Sequence, residues 1–172
     1  MSVILIVGAK GGVGTTTVAQ ELIRAGKALA VDTAGGSLAA DLERATWHLT
    51  RDLYAATGMW RATLIEKVLQ KRITLLWSAE HAASADAGAP WEFVRDLARR
   101  GPLVIDGGIE PPTVVDTLIT QAVIVTQPDN SLARWHVAQL QQRFPAALVS
   151  AGTRQAARDL AGQLFKGVQI SS

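Results

Sequence analysis

Val3-Ile4-Leu5-Ile6-Val7-Gly8-Ala9-Lys10-Gly11-Gly12-Val13-Gly14-Thr15-Thr16-Thr17 joins a short apolar run to a glycine-rich turn and then to a helical stretch. The unbroken Val, Ile and Leu residues have the composition of a parallel strand buried on both faces. Residues 15–24 read as a helix. Strand, loop and helix in this order aim a helix N-terminus, with its unpaired N–H groups and partial positive charge, at an anion. Gly8 and Gly14 have the spacing of G-x-x-x-x-G-K-[ST]. In that pattern backbone amides cradle phosphates, a lysine reaches the β and γ oxygens and a hydroxyl holds Mg²⁺. Thr16 fills the hydroxyl position, Thr15 stands where the lysine belongs, and a different cation, Lys10, sits early in the loop.

Further apolar runs follow at residues 28–31, 73–77, 103–105 and 122–125, with 146–149 as a sixth strand. Between them, helical spacing of apolar residues marks 61–70 and 91–99, and helices are also expected at 112–118, 131–143 and 153–165. Strands alternating with helices imply right-handed crossovers and ligands at the carboxyl ends of the strands. The expected fold is therefore α/β: a P-loop NTPase-like three-layer arrangement, with a mainly parallel twisted sheet of about six strands covered by helices on both faces. Residues 79–90 are rich in Ala, Ser and Gly and read as a surface loop.

The chain has 172 residues, enough for one substantial core, and a single domain over 1–172 is expected. It is 48% hydrophobic and 19% charged, the balance of a globular protein. No apolar run is long enough to span a membrane and no signal-type segment opens the chain, so a cytoplasmic protein is expected. The lack of cysteine excludes disulfides, thiol catalysis and cysteine-held metals. His48, His81 and His136 stand too far apart in sequence for a metal-ligand motif. With a net charge of +2 and only the short basic pairs Lys71-Arg72 and Arg99-Arg100, charge leaves DNA binding open without supporting it.

Asp32 ends the second strand and Asp106 the fourth, so both aspartates fall at the edge that carries the loop. An acid there suits a nucleotide site, where it holds Mg²⁺ directly or through water or orients a water molecule. The alternative is an aspartate that caps the turn following its strand. Asp41 lies on a helix and is not assigned such a role.

Lys10-Gly11-Gly12-Val13-Gly14 with Thr16-Thr17, Val31-Asp32, Val104-Ile105-Asp106 and residues 122–129 together resemble the ParA/MinD family of deviant Walker A ATPases, whose loop reads K-G-G-x-G-K-[ST]-[ST]. The similarity covers about the first 145 residues, implying a domain of that family curtailed at its C-terminal end. Thr15 in place of the lysine looks like the CpaE/TadZ branch, associated with polar localisation and pilus assembly. So does the segment 127–134, which is similar to that branch's P-D-x-x-S-L-R.

The resemblance implies ATP and Mg²⁺ as cofactors. It places Gly8, Gly11, Gly12, Val13, Gly14, Thr15, Thr16 and Thr17 around the nucleotide, Thr16, Asp32 and Asp106 around the metal, and Lys10, Asp32 and Asp106 in the catalytic roles. It also implies a homodimer closed by nucleotide, with Lys10 reaching the partner's phosphates, an unidentified protein partner, and a cargo that is a DNA partition complex or pilus and polar machinery. Thr15 brings no charge, which costs on the order of 1.5–3 kcal/mol of phosphate interaction. Ala34 stands where many members carry a second acid. Hydrolysis is therefore expected to be slow or absent.

Two other readings stay open: a catalytically silent scaffold acting through protein contacts, and a small-molecule ATP-dependent enzyme on the same fold. The helix at 153–165 carries Ala157, Leu160, Ala161, Leu164 and Phe165 on one face. That face either packs on the sheet, with Val168 and Ile170 returning the chain to the core, or makes a peripheral membrane contact. Of five tryptophans, Trp77 is expected in the core and Trp135 is a candidate partner contact.

Overall fold

The computed structural model describes residues 2–49, 51–52, 58–78, 88–127 and 131–165. The strands are β1 (Val3–Gly8), β2 (Leu29–Asp32), β3 (Thr46–His48), β4 (Thr74–Leu76), β5 (Leu103–Asp106), β6 (Gln121–Thr126) and β7 (Leu148–Ala151). The helices are α1 (Thr15–Ala25), α2 (Ser37–Asp41), α3 (Gly58–Lys71), α4 (Gly88–Arg100), α5 (Ser131–Arg143) and α6 (Arg154–Leu164), with a 3₁₀ turn at Thr113–Thr117.

All seven strands form one sheet in the order β3-β4-β2-β5-β1-β6-β7, and every pairing is parallel. Strand side chains alternate between faces, so β1 feeds two cores. Val3, Leu5 and Val7 pack with Val68 of α3, Phe93 and Leu97 of α4, Val115 of the 3₁₀ turn and Ala133 of α5. Ile4 and Ile6 pack with Val18, Leu22 and Ile23 of α1 and with Ala157 and Leu160 of α6. The result is the expected three-layer α/β arrangement. Truncating a fully buried side chain such as Leu5 to Ala should cost about 2–5 kcal/mol.

The sheet has seven strands where about six were expected, and the added one is β3. Only three residues long, β3 lies at the sheet edge and is positioned by its pairing of Thr46 with Thr74. The last strand lies two residues later than expected. The stretch 112–118 is 3₁₀ over Thr113–Thr117, with the Pro112 carbonyl accepting from Val115 N at 3.2 Å and the Val115 carbonyl from Leu118 N at 2.8 Å.

The segment read as a surface loop at 79–90 contains the start of α4 at Gly88. Pro90 falls in the first turn, where the missing N–H has no intrahelical partner to lose. Residues 79–87, including His81, lie outside the described residues, as do 128–130 and the expected core return at Val168 and Ile170. Ala157, Leu160 and Ala161 of α6 are buried, so that apolar face is covered by protein, and the helix is capped by the Thr153 hydroxyl accepting from Ala156 N at 3.2 Å. No described helix is long and apolar enough to cross a membrane.

Candidate functional site: a glycine-rich cleft at the carboxyl edge

β1 lies between β5 and β6, and the chain leaves it at Gly8 into the loop. The crossover from β1 runs to β2 on one side, whereas the later crossover from β5 passes β1 to reach β6 on the other, and such a switch in direction opens a crevice at the carboxyl ends of the strands. The loop is tied to both neighbours: Gly8 N donates to the Gly108 carbonyl at 2.7 Å and Ala9 N to the Val125 carbonyl at 2.9 Å. Gly12 (φ 74°) and Gly14 (φ 94°) turn the backbone through the left-handed region and hand it to α1.

The first intrahelical bond closes from Val18 N to the Gly14 carbonyl, leaving the amides before Val18 at the helix mouth without intrahelical partners. A cleft of about 330 Å³ opens there, lined by Lys10, Gly11, Gly12, Gly14 and the three threonines, with Ala34, Ser37, Asp106, Gly108 and Ile109 opposite. Gly8 and Val13 are not on its wall. Gly8 ends β1, and the buried Val13 side chain anchors the loop in the core.

Thr16 sits at the centre of the polar contacts. Its hydroxyl donates to Asp106 Oδ2 at 2.9 Å and lies 3.3 Å from Ser37 Oγ. Asp106 Oδ1 accepts from Gly108 N at 3.2 Å. Burial pushes the Asp106 carboxyl up to about 6; the hydrogen bonds from Thr16 and Gly108 pull against that, and the nearby Asp32 adds to it. A buried acid bonded to the Thr16 hydroxyl, with the Ser37 hydroxyl next to that, is an all-oxygen donor set suited to a hard cation, which would relieve the charge burial. Among the described residues no group of three or more His, Asp or Glu could cage a metal alone.

Asp32 and Asp106 do not act alike. Asp32 is buried, and its two oxygens accept from Ala34 N at 2.8 Å and Leu38 N at 3.0 Å, so it fastens the turn into α2. Only Asp106 reaches Thr16. Asp41 is engaged by Gln20 at 2.5 Å, away from the cleft wall. A methyl on Gly8 would lie 2.6 Å from Thr15 Oγ1, which shows that the Thr15 hydroxyl lies over Gly8.

Three contributors escaped the sequence reading. Ser37 brings its hydroxyl to Thr16 from the start of α2. Gly152, at the end of β7, lies against the loop so closely that a methyl on it would fall 1.5 Å from the Val13 carbonyl oxygen. His136 of α5 donates from Nδ1 to the Ala9 carbonyl at 2.5 Å. Each belongs to a separate element, and no local pattern ties it to the loop.

The architecture and cleft define an α/β protein with one all-parallel sheet and a P-loop-like three-layer fold. No protein-family model matches the chain, and no curated protein matches it.

Proposed function

We propose that this chain is an ATP-binding, nucleotide-dependent dimerising switch of the ParA/MinD type, working in the cytoplasm. ATP with Mg²⁺ binds the loop at 8–17, Lys10 reaches across a homodimer to the partner's phosphates, and the closed form engages a protein partner to position or assemble a cargo. The observation that carries this reading is the cleft in which the glycine-rich loop, the mouth of α1 and the Thr16–Asp106 pair meet. The loop amides would hold phosphate oxygens, while Thr16 and Asp106 would hold Mg²⁺, whose chemistry there is neutralising phosphate charge. Lys10 lines the cleft and supplies the cation for a second subunit.

A silent scaffold is the second reading, favoured by Thr15, whose hydroxyl lies over Gly8, and by Ala34, which puts no acid on the cleft wall. Light scattering during titration with ATP·Mg²⁺, run beside a phosphate-release assay, separates the two. A mass that doubles with ATP·Mg²⁺ and stays monomeric in Lys10→Ala supports the switch. Scattering indifferent to nucleotide sinks it, and dimerisation without phosphate release identifies a switch that does not hydrolyse.

A further inference from the structure

The entry to the loop is held from three sides, by Gly108 beyond β5, by Val125 of β6 and by His136 of α5. The first two are backbone bonds within the sheet edge. The third comes from a side chain 127 residues away in sequence. A carbonyl oxygen only accepts, so His136 Nδ1 carries the proton in this contact. The Ala9 carbonyl and the Lys10 N–H belong to one planar trans peptide and point in opposite directions. Holding the carbonyl toward α5 therefore turns the Lys10 amide away from α5 and sets the plane from which the Lys10 side chain leaves.

α5 is lightly seated. Ala133 is buried and Val137 and Leu140 pack on the core, but Arg134, Trp135, Ala138, Gln139, Gln141 and Gln142 are exposed. With few buried side chains among those described over residues 133–143, this part of the helix shifts or opens at low cost. The Trp135 ring is 58% exposed and lies 4.9 Å from the His136 ring. One hydrogen bond thus ties a loosely packed helix to the peptide that orients Lys10.

We propose that His136 is a positioning residue that fixes the Ala9–Lys10 peptide and couples the loop to α5, so that occupancy of the loop is expressed at the Trp135 face. The identity of the occupant rests on the nucleotide-binding reading; the coupling itself does not. Hydrogen exchange without ligand tests the coupling, comparing the wild type with His136→Leu, which removes the donor, and His136→Asn, whose amide nitrogen replaces Nδ1. Loss of one such bond should raise exchange at residues 9–12 and in α5 by about tenfold in His136→Leu. His136→Asn should restore wild-type protection, and amides of β2 and β5 report any global destabilisation. Unchanged exchange in either segment of His136→Leu overturns the proposal.

In a second arm, ATP·Mg²⁺ is added. Protection should spread from the loop to α5 in the wild type, with a change in tryptophan fluorescence that Trp135→Phe abolishes, and should stop at the loop in His136→Leu. Equal spread in both proteins overturns the coupling. A wild-type loop that ATP·Mg²⁺ leaves unprotected defeats the nucleotide reading instead, while the ligand-free comparison still decides the role of His136.

Discussion

At Asp106 a carboxyl that ordinarily titrates near 3.8 is pushed up to about 6 by burial. The folded state therefore holds a proton over a range in which the unfolded chain has released it. Stability tied to this group is fullest below about pH 4 and falls as pH rises through 6, by on the order of 3 kcal/mol. Asp106→Asn removes that penalty while keeping the shape. Its ligand-free melting temperature should exceed the wild type's at pH 7 and match it at pH 4. If Mg²⁺ binds at Asp106 as proposed, it favours the carboxylate, so ATP·Mg²⁺ should raise the wild-type melting temperature less as pH falls below 6, and should not raise that of Asp106→Asn. A melting series at both pH values with and without ATP·Mg²⁺ checks both outcomes.

Gly152 lends itself to a steric test. Its missing methyl leaves room for the Val13 carbonyl, so Gly152→Ala must displace either the loop or the β7–α6 turn. We expect a stability loss of about 1–3 kcal/mol and at least tenfold weaker nucleotide binding, measured by melting and calorimetry. The loop, Thr16 and Asp106 were legible in the sequence because strand, glycines and hydroxyl are contiguous and an acid ends a neighbouring apolar run. Ser37, Gly152 and His136 were not, because each is joined to the loop only by the three-dimensional path of its own element. The sequence leaves Asp32 open between a ligand and a cap, and its hydrogen bonds are those of a cap.

Among the elements, two helices end alike and a third ends on a shorter bond. α1 closes with Ala28 N donating to the Ile23 carbonyl at 3.0 Å and α3 with Ile73 N donating to Val68 at 3.2 Å, five residues back in each, whereas in α2 Glu43 N donates three residues back to Ala40 at 3.2 Å. The left-handed residue that each ending requires is Lys27 (φ 46°), Arg72 (φ 52°) or Glu43 (φ 52°), where glycine is the usual choice. Ala28 and Ile23 share one core and Ile73 and Val68 the other, which is the apolar contact that accompanies this closure. Relief of the left-handed strain in Lys27→Gly should stabilise the protein by about 1 kcal/mol, or about 2–4 °C in melting temperature. A lower melting temperature would show that the Lys27 side chain contributes more than its backbone costs.

Five strands could be located because buried parallel strands are continuous apolar runs, and the apolar run at 146–149 places the half-buried β7 two residues early. β3 could not, since Thr46-Trp47-His48 owes its strand character to pairing with β4. α2 is only five residues long and was legible only as the helical setting of Asp41.

For the molecule as a whole, the sheet stops at β7, whose outer edge is unpaired within the described residues and whose Val149 is 50% exposed. Unpaired edges with apolar side chains invite association, and a lysine is a common way of blunting them. Val149→Lys should leave the melting temperature within the equivalent of about 0.5 kcal/mol while lowering light scattering at high protein concentration. If ATP-dependent dimerisation survives in Val149→Lys, the closing surface lies elsewhere on the molecule, as expected of a contact made through Lys10.

The central position of β1 has a consequence for the way the chain is made. Its neighbours in the sheet are residues 103–106 and 121–125, so β1 leaves the ribosome long before the strands that complete it. At about 5–20 residues per second, some 100 residues take on the order of 5–20 s to synthesise, and for that time Val3 to Val7 has neither edge paired. A nascent chain stopped before residue 103 should stay protease-sensitive throughout, and resistance should appear only after residue 126 has cleared the exit tunnel. The glycine-rich loop, although synthesised well before β5 and β6, takes shape only once they are in place.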